Sequence, residues 1–490
     1  MKRISTGFLP PVALDMAGST PMYDQLSEWF RRAILEGRLR PGQRVPSTRS
    51  LAKELRISRV PVLSAYEQLY AEGYLETFVG AGTCVARAIP GKAAKPNDTR
   101  ERHDPVPSAT PRTVAQRVAD LRVPPQTWAN TQGAFRVGLP AIDHFPITTW
   151  SKLINHHARK PPMELMVYGE PMGYLPLREA IAEYLGTVRT VRCDASQILI
   201  TTGSQHGLQI CIHALINTGD SVWMEDPGYP GARQALRTLG ADIVPVPVDD
   251  EGLDVEAGIR LNRHARAAYI SPSHQFPLGV TMSAARRMQL LSWASNSGAW
   301  IIEDDYDSEY RFGGRPLASL QGMDTEGRVV YVGTFSKVMF PALRVGYLVV
   351  PKDLVPAFAA VRDAFDTFSS TLYQVVLTDF IREGHFARHI RRMRTLYLER
   401  RNALLEAIDT YMGDKLEVIG TQAGMQLAAL LPPGVNDVAL SIEAAKLGIA
   451  ARPLSISYAA RTGRSGIILG YSGANVHELR EGMRKLATCL

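Results

Sequence analysis

The sequence predicts two folded units of different class, a small winged helix-turn-helix and a large α/β unit, and three observations carry that prediction. Upstream of residue 88 lie three short helical patterns, then two short β runs around a glycine-rich tip. From residue 127 onward, apolar β runs alternate with amphipathic segments, the pattern of helices packed on a largely parallel sheet. Between the two, residues 88–126 lack apolar periodicity and are rich in Pro, Ala, Lys, Arg and Asp, which reads as a solvated linker. The expected units are therefore 15–87, a linker 88–126, and 127–490.

Length supports this division, since 490 residues exceed the ~250–300 at which single hydrophobic cores stop growing. Hydrophobic residues at 45% and charged residues at 21% are ordinary for a globular chain, and no apolar run approaches the roughly 20 residues needed to cross a bilayer. The basic start Met1-Lys2-Arg3 is followed by no apolar stretch, so it does not read as a secretory signal and a cytoplasmic location is expected. Cys84, Cys193, Cys211 and Cys489 have no metal-ligand spacing; they predict packing roles in a reducing compartment, with no disulfide framework and no metal site. The net charge of +7 permits a polyanionic partner without demanding one.

In the small unit, Leu26, Trp29, Phe30, Ala33 and Ile34 form one helical face between Tyr23 and Glu36, and Gly37 stops that helix. Residues 47–55 make a second, short helix, and Ser58 is placed to cap a third that runs through Val62, Ala65, Tyr66 and Leu69. Residues 73–76 and 79–85 read as two strands of a wing. This stretch resembles the winged helix-turn-helix of the GntR superfamily. The matching residues are Pro46-Ser47-Thr48-Arg49 with Leu51-Ala52, Ser58-Arg59, Ala65-Tyr66, Leu69, Glu72-Gly73-Tyr74, Gly80, Gly82-Thr83 and Val85. The resemblance implies a double-stranded DNA operator as partner and a third helix that enters the major groove. Ser47, Arg49, Ser58 and Arg59 at the helix starts would fix the phosphates, and Gly82 at the wing tip would lie near the minor groove. One departure is Pro61, where the family usually carries Thr. A missing amide is tolerated in a first helical turn, so the helix should persist, whereas the lost hydroxyl predicts a different operator sequence or affinity.

In the large unit, residues 197–201 read as a strand, Thr202-Gly203-Ser204 as a turn and 205–216 as a helix, which places free amides where a phosphate could bind. A second strand, 299–302, ends in Glu303-Asp304-Asp305-Tyr306-Asp307, at the carboxyl edge where α/β sheets bind ligands. A third, 329–333, leads into Thr334-Phe335-Ser336-Lys337, with Arg344 seven residues on. A desolvated lysine is a nucleophile towards an aldehyde, and pyridoxal phosphate requires such a lysine, a carboxylate for its ring nitrogen and a phosphate cradle. All three follow in chain order at strand ends.

Residues 132–490 resemble the fold-type I, aspartate aminotransferase-like proteins. The resemblance rests on Tyr168-Gly169 with Gly173-Tyr174-Leu175-Pro176-Leu177-Arg178, on Thr202-Gly203-Ser204-Gln205-His206-Gly207-Leu208 and Glu225-Asp226-Pro227-Gly228-Tyr229, on Ser271-Pro272-Ser273-His274-Gln275-Phe276-Pro277-Leu278-Gly279, on Glu303 to Tyr310, and on the Lys337 run. Joined to the GntR-like module, the chain looks like the MocR subfamily of regulators. The resemblance implies that Lys337 carries pyridoxal phosphate as a Schiff base, Asp304 pairs with the pyridine nitrogen and Tyr306 donates to the ring hydroxyl. Ser204, Gln205, Thr334, Ser336 and Arg344 would hold the phosphate, and Tyr229 would pack near the ring face. It further implies a homodimeric, DNA-binding transcription regulator whose effector is a small amine or the cofactor itself; the alternative is an active aminotransferase with an attached DNA module.

Aminotransferases place an asparagine at the position of Phe276, where it reaches the ring hydroxyl, and phenylalanine cannot. They place an arginine for the substrate carboxylate where this chain has Ile468, so no bidentate clamp is expected there and an ordinary α-amino acid is disfavoured. Arg452 is the other arginine that could serve, with a plain surface position as the alternative. The basic run His385, Arg388, His389, Arg391, Arg392 and Arg394 falls on a predicted helix over 384–407 and reads as a solvated or subunit-facing surface, or as a second path for DNA.

Overall fold

In the computed structural model, which describes residues 11–16, 18–78, 82–88, 113–115, 121, 131–313, 318–460 and 463–490, the chain divides into two compact units between Arg112 and Thr113. Most of the expected linker, 88–126, lies outside the described residues. In the first unit, helix α1 (Met22–Leu35) buries Leu26, Phe30, Ala33 and Ile34, the face that the periodicity marks. Helix α2 (Thr48–Leu55) starts at Ser47, whose hydroxyl accepts from the Ser50 amide at 3.2 Å, and ends at Arg56 in the left-handed region at φ 56°. Helix α3 (Arg59–Ala71) follows after that turn and buries Val62, Ala65, Tyr66 and Leu69. Arg31 reaches Glu72 at 2.6 Å and ties α1 to the end of α3.

Two details differ from expectation. Ser58 occupies the cap position of α3, but its side chain makes no cap hydrogen bond. A cap hydroxyl bonds the second or third helical amide, and the third residue here is Pro61, which has none. The wing strands are β1 (Leu75–Phe78) and β2 (Gly82–Val85), paired antiparallel from Leu75↔Val85 to Phe78↔Gly82. Gly73, expected within the first strand, instead turns the chain out of α3 at φ +76°. The second strand was expected over 79–85, and its residues 79–81 lie outside the described residues.

The second unit is built on an eight-stranded sheet of order β3-β10-β9-β8-β7-β4-β5-β6. Its strands are β3 (Ile198–Thr201), β4 (Ser221–Asp226), β5 (Asp242–Asp249), β6 (Gly252–Leu253), β7 (Ala267–Ile270), β8 (Trp300–Asp305), β9 (Val329–Thr334) and β10 (Gly346–Val349). Strands β5, β4, β7, β8 and β9 run parallel, whereas β10 lies antiparallel to both β9 and β3. The parallel strands are near-continuous apolar runs because both faces are covered: β7 and β9 are buried along their whole length. A second, antiparallel sheet of order β11-β12-β14-β13 comprises β11 (Glu417–Ile419), β12 (Gln426–Leu430), β13 (Arg452–Pro453) and β14 (Gly466–Gly470). Helix α4 (Ser204–Leu215) starts at the end of β3, and helix α5 (His385–Met412) runs beyond the expected 384–407. Among the described residues no helix is long and apolar enough to cross a membrane, and no cluster of His, Cys, Asp or Glu could hold a metal.

Candidate functional site

The carboxyl ends of the parallel strands converge on a cavity of about 170 Å³ whose lining includes Gly138, Ser204, Tyr229, Asp304, Tyr306 and Lys337. Strand β8 and the two residues after it bring four acidic residues to this edge, and the fold commits them differently. Glu303 accepts from the Leu320 and Gln321 amides, each at 2.8 Å. Asp305 is paired with Arg189 at 2.7 Å and accepts from the Tyr331 hydroxyl at 2.6 Å. Asp307 accepts from His274 Nδ1 at 3.0 Å, and since a carboxylate can only accept, the ring proton sits on Nδ1. Asp304 alone turns into the cavity. One oxygen accepts from the Tyr269 hydroxyl at 2.6 Å, and Oδ1 is buried with no partner. Burial pushes its carboxyl up to about 6, opposed by the Tyr269 hydrogen bond.

Lys337 enters from the loop after β9, and its Nζ donates to the Gly138 carbonyl at 2.9 Å. A Cβ on Gly138, which has φ +69°, would stand 2.4 Å from that nitrogen, so this approach requires glycine. Removal from water holds the Lys337 amine below the usual lysine range; Asp307 and Asp304 oppose this and Arg452 reinforces it. A lowered lysine pKa enlarges the neutral, nucleophilic fraction.

Where β3 meets α4, Gly203 sits at φ +102° and lets the exposed Arg344 guanidinium pack against it, 3.0 Å from where a Cβ would be. The Arg344 guanidinium thus lies at the α4 start, whose first amides and Ser204 side chain are suited to an anion, and the buried Ser336 hydroxyl is without a partner. Thr334 is buried beside it and accepts the Ser336 amide at 3.2 Å. Gln205 differs from the others. Its side chain donates to the Gly231 carbonyl at 3.0 Å, so only its backbone amide is available here. These residues fit pyridoxal phosphate: a cradle for the phosphate, an open carboxylate for the ring nitrogen and an amine for the aldehyde.

Tyr306 spends its hydroxyl proton on the His274 carbonyl at 2.9 Å and receives Gln426 Nε2 at 3.4 Å, so the expected donation to a ring hydroxyl would require that proton to be redirected. Tyr229 meets Phe276 edge-on, with centroids 5.7 Å apart.

In the first unit, the starts of α2 and α3 come together: Arg59 Nε donates to Thr48 Oγ1 at 3.2 Å. Ser47, Arg49, Ser58 and Arg59 are all exposed there, which suits phosphate contact at two helix N-termini. Gly82 begins β2 at φ +84° with Arg44 packed over it, 3.0 Å from a would-be Cβ. The sequence reading did not single out Arg44.

Residues 139–481 match the aminotransferase class I and II family, and residues 22–85 match the bacterial regulatory proteins of the gntR family. The chain is 39% identical over 475 residues to the "Probable rhizopine catabolism regulatory protein MocR" of Rhizobium meliloti, covering 97% of this chain and 95% of that one. It is 30% identical to the "HTH-type pyridoxine biosynthesis transcriptional regulator PdxR" of Corynebacterium glutamicum, covering 96% of both. The chain belongs to the MocR subfamily of GntR regulators. Among solved structures, the kynurenine aminotransferase of Pyrococcus horikoshii in complex with PMP aligns with a TM-score of 0.71 at 29% identity, over 77% of this chain and 96% of that one.

Several site residues of this MocR-type chain escaped the sequence reading. Tyr269 holds Asp304, Gln426 contacts Tyr306, and the Gly138 carbonyl receives Lys337. Tyr269 did leave a signal: a tyrosine inside a buried strand needs a partner for its hydroxyl. The basic run on α5 divides. His389 is buried against Phe145 at 5.5 Å, its imidazole pushed down to about 4 by burial, so it belongs to the core. Arg388, Arg391, Arg392 and Arg394 are exposed.

Proposed function

We propose that this transcription regulator holds pyridoxal phosphate on Lys337 and changes its grip on an operator when the cofactor site is filled by an amine or by the cofactor itself. The observation that carries the proposal is Asp304 Oδ1, a buried carboxylate oxygen with no partner, facing a cavity that also receives the Lys337 amine. An unpaired buried acceptor costs stability unless a ligand supplies its donor, and the protonated pyridine nitrogen is such a donor. When bound, pyridoxal phosphate supplies an aldehyde that condenses with primary amines.

The chain's own residues then have separate tasks. Lys337 holds the cofactor's aldehyde carbon, Asp304 keeps the ring nitrogen protonated, and Arg344, Ser204 and Ser336, with the Gln205 amide, hold the phosphate. Thr334 positions the Ser336 loop, Tyr229 flanks the ring and Tyr306 stands by the ring hydroxyl. In the other unit, Ser47, Arg49, Ser58 and Arg59 contact operator phosphates, with Gly82 bringing the wing close. Pairing as a homodimer would present two such modules to paired half-sites, and the exposed apolar side chains of Met163 (72%), Met166 (70%) and Tyr168 (87%) support self-association.

The test selects bound fragments of the source genome and titrates the best one at fixed salt, with and without pyridoxal phosphate, for wild type and Lys337→Ala. Specific binding that responds to the cofactor in wild type only is the expected result. Binding that is weak and steeply salt-dependent at every sequence, together with steady amino transfer between an amino acid and a keto acid, would favour the aminotransferase reading instead. Phe276 and Ile468 disfavour that outcome, because neither can make the polar contact that its position makes in aminotransferases.

A further inference from the structure

The cavity contains a second cation that none of the tasks above uses. Arg452, on β13, lines the cavity, and its Nε is buried without a hydrogen-bond partner. No hydrogen bond or ion pair of its guanidinium occurs among the described residues, and the carboxylates of the neighbouring loops are already taken. Asp437 accepts from the Ser455 amide and hydroxyl at 2.8 and 2.6 Å, and Asp226 accepts from the Ala459 amide at 2.6 Å. The nearby Arg233 is spent on the Tyr458 and Ile456 carbonyls at 2.6 and 2.7 Å. Arg452 is half-buried, with its Nε cut off from solvent; a partly desolvated guanidinium without an anion is costly, and the cost is recovered when an anion arrives from outside.

The surroundings of Arg452 account for both departures from the aminotransferase pattern at once. Arg452 pairs across the sheet with Ile468, so the side chains of these two residues are neighbours on β13 and β14. Ile468 and Phe276 belong to one buried apolar cluster, and the Arg452 guanidinium lies over the Phe276 ring at 5.5 Å from its centroid. Isoleucine and phenylalanine thus build an apolar shelf that fixes the plane of the arginine and leaves its N–H edge to the cavity.

We propose that Arg452 binds the acidic end of the effector, which is therefore a primary amine that also carries a carboxylate or a sulfonate. The proposal rests on the reading of the large unit as a cofactor-loaded amine sensor and narrows the class of amine. Both acids offer a pair of anionic oxygens to the guanidinium fork, a carboxylate the two of its planar group and a sulfonate two of the three set tetrahedrally about sulfur.

The experiment titrates the full-length, pyridoxal phosphate-loaded protein with 3-aminopropanoate, 2-aminoethanesulfonate and propylamine, following heat and the absorbance of the bound cofactor. One hydrogen-bonded charge pair predicts that wild type prefers at least one acidic amine over propylamine by roughly ten- to a hundredfold. In Arg452→Gln that preference should vanish while propylamine binding stays the same, and Arg452→Lys should retain part of it. The ratio of the two acids tells carboxylate from sulfonate. Equal binding of acidic and neutral amines by wild type overturns the proposal without the use of any variant, as does a preference that survives Arg452→Gln. An Arg452→Gln protein that loses the cofactor while wild type treats all three amines alike would assign the arginine to the cofactor. None of these results touches the parent reading, which fails if neither cofactor nor amine alters operator binding, or if the response survives Lys337→Ala.

Discussion

Replacing Tyr269 by phenylalanine removes one hydroxyl and isolates the electrostatics of Asp304. Strands β7 and β8 are paired with Tyr269 opposite Ile302, so Asp304 is the diagonal neighbour, and the ring can stay in place when the hydroxyl goes. The Asp304 carboxyl, already pushed up to about 6, is held down by this 2.6 Å hydrogen bond. A hydrogen bond to a charged group contributes about 1.5–3 kcal/mol, and 1.36 kcal/mol corresponds to one pH unit, so its loss moves the carboxyl midpoint to about 7–8. At pH 7 the wild-type carboxyl is about nine-tenths ionised in the empty site, whereas the variant is about half to one-tenth ionised. Only the ionised form can pair with a protonated ring nitrogen. Cofactor affinity that depends on this pairing is present above the midpoint and lost as pH falls through it. Tyr269→Phe should therefore bind pyridoxal phosphate about two- to tenfold more weakly than wild type at pH 7 and match it by about pH 9. The assay is cofactor affinity measured across pH 5.5–9.5 for both proteins, read as their ratio. A ratio that is constant with pH would refute the reasoning, because lost packing alone would weaken binding equally at every pH.

Two further outcomes concern the DNA-binding unit. Ser58→Ala should leave stability unchanged in the native sequence, since its hydroxyl caps nothing, yet cost about 1 kcal/mol in a Pro61→Ala background where the third helical amide exists; a denaturation cycle of the four proteins checks this, and an equal effect in both backgrounds would contradict it. Arg59→Ala should weaken operator binding similarly across sequences and reduce the slope of log affinity against log salt by about 1, whereas a loss confined to one base position would mean that Arg59 reads sequence.

Lys337 and Asp304 were legible because both follow from local rules: a polar residue directly after an apolar run marks the carboxyl end of a buried strand, and in a parallel sheet those ends share one edge. The DNA-binding unit was legible for a similar reason, as its whole pattern lies within residues 22–85 and helix faces, stops and turns are read at short range. The short-range reading failed at Ser58, where the cap residue was visible but Pro61 was weighed for helix persistence and operator contact and not for the amide it withholds from the cap.

The remainder depended on which strands lie side by side. Nothing between residues 138 and 337 announces that the Gly138 carbonyl will receive the lysine, and Tyr269 reaches Asp304 only because β7 and β8 are neighbours in the sheet. Arg452 looked equally suited to a surface. Its place over Phe276 and beside Ile468 is decided by the pairing of β13 with β14 and by the packing of Phe276 on that sheet. The amino-acid order therefore determined the two units, their chemistry-bearing residues and the edge on which the latter emerge. Strand order and long-range packing, which arise from many weak contacts distributed over the whole chain, decided which of those residues face one another and which charges are left without a partner.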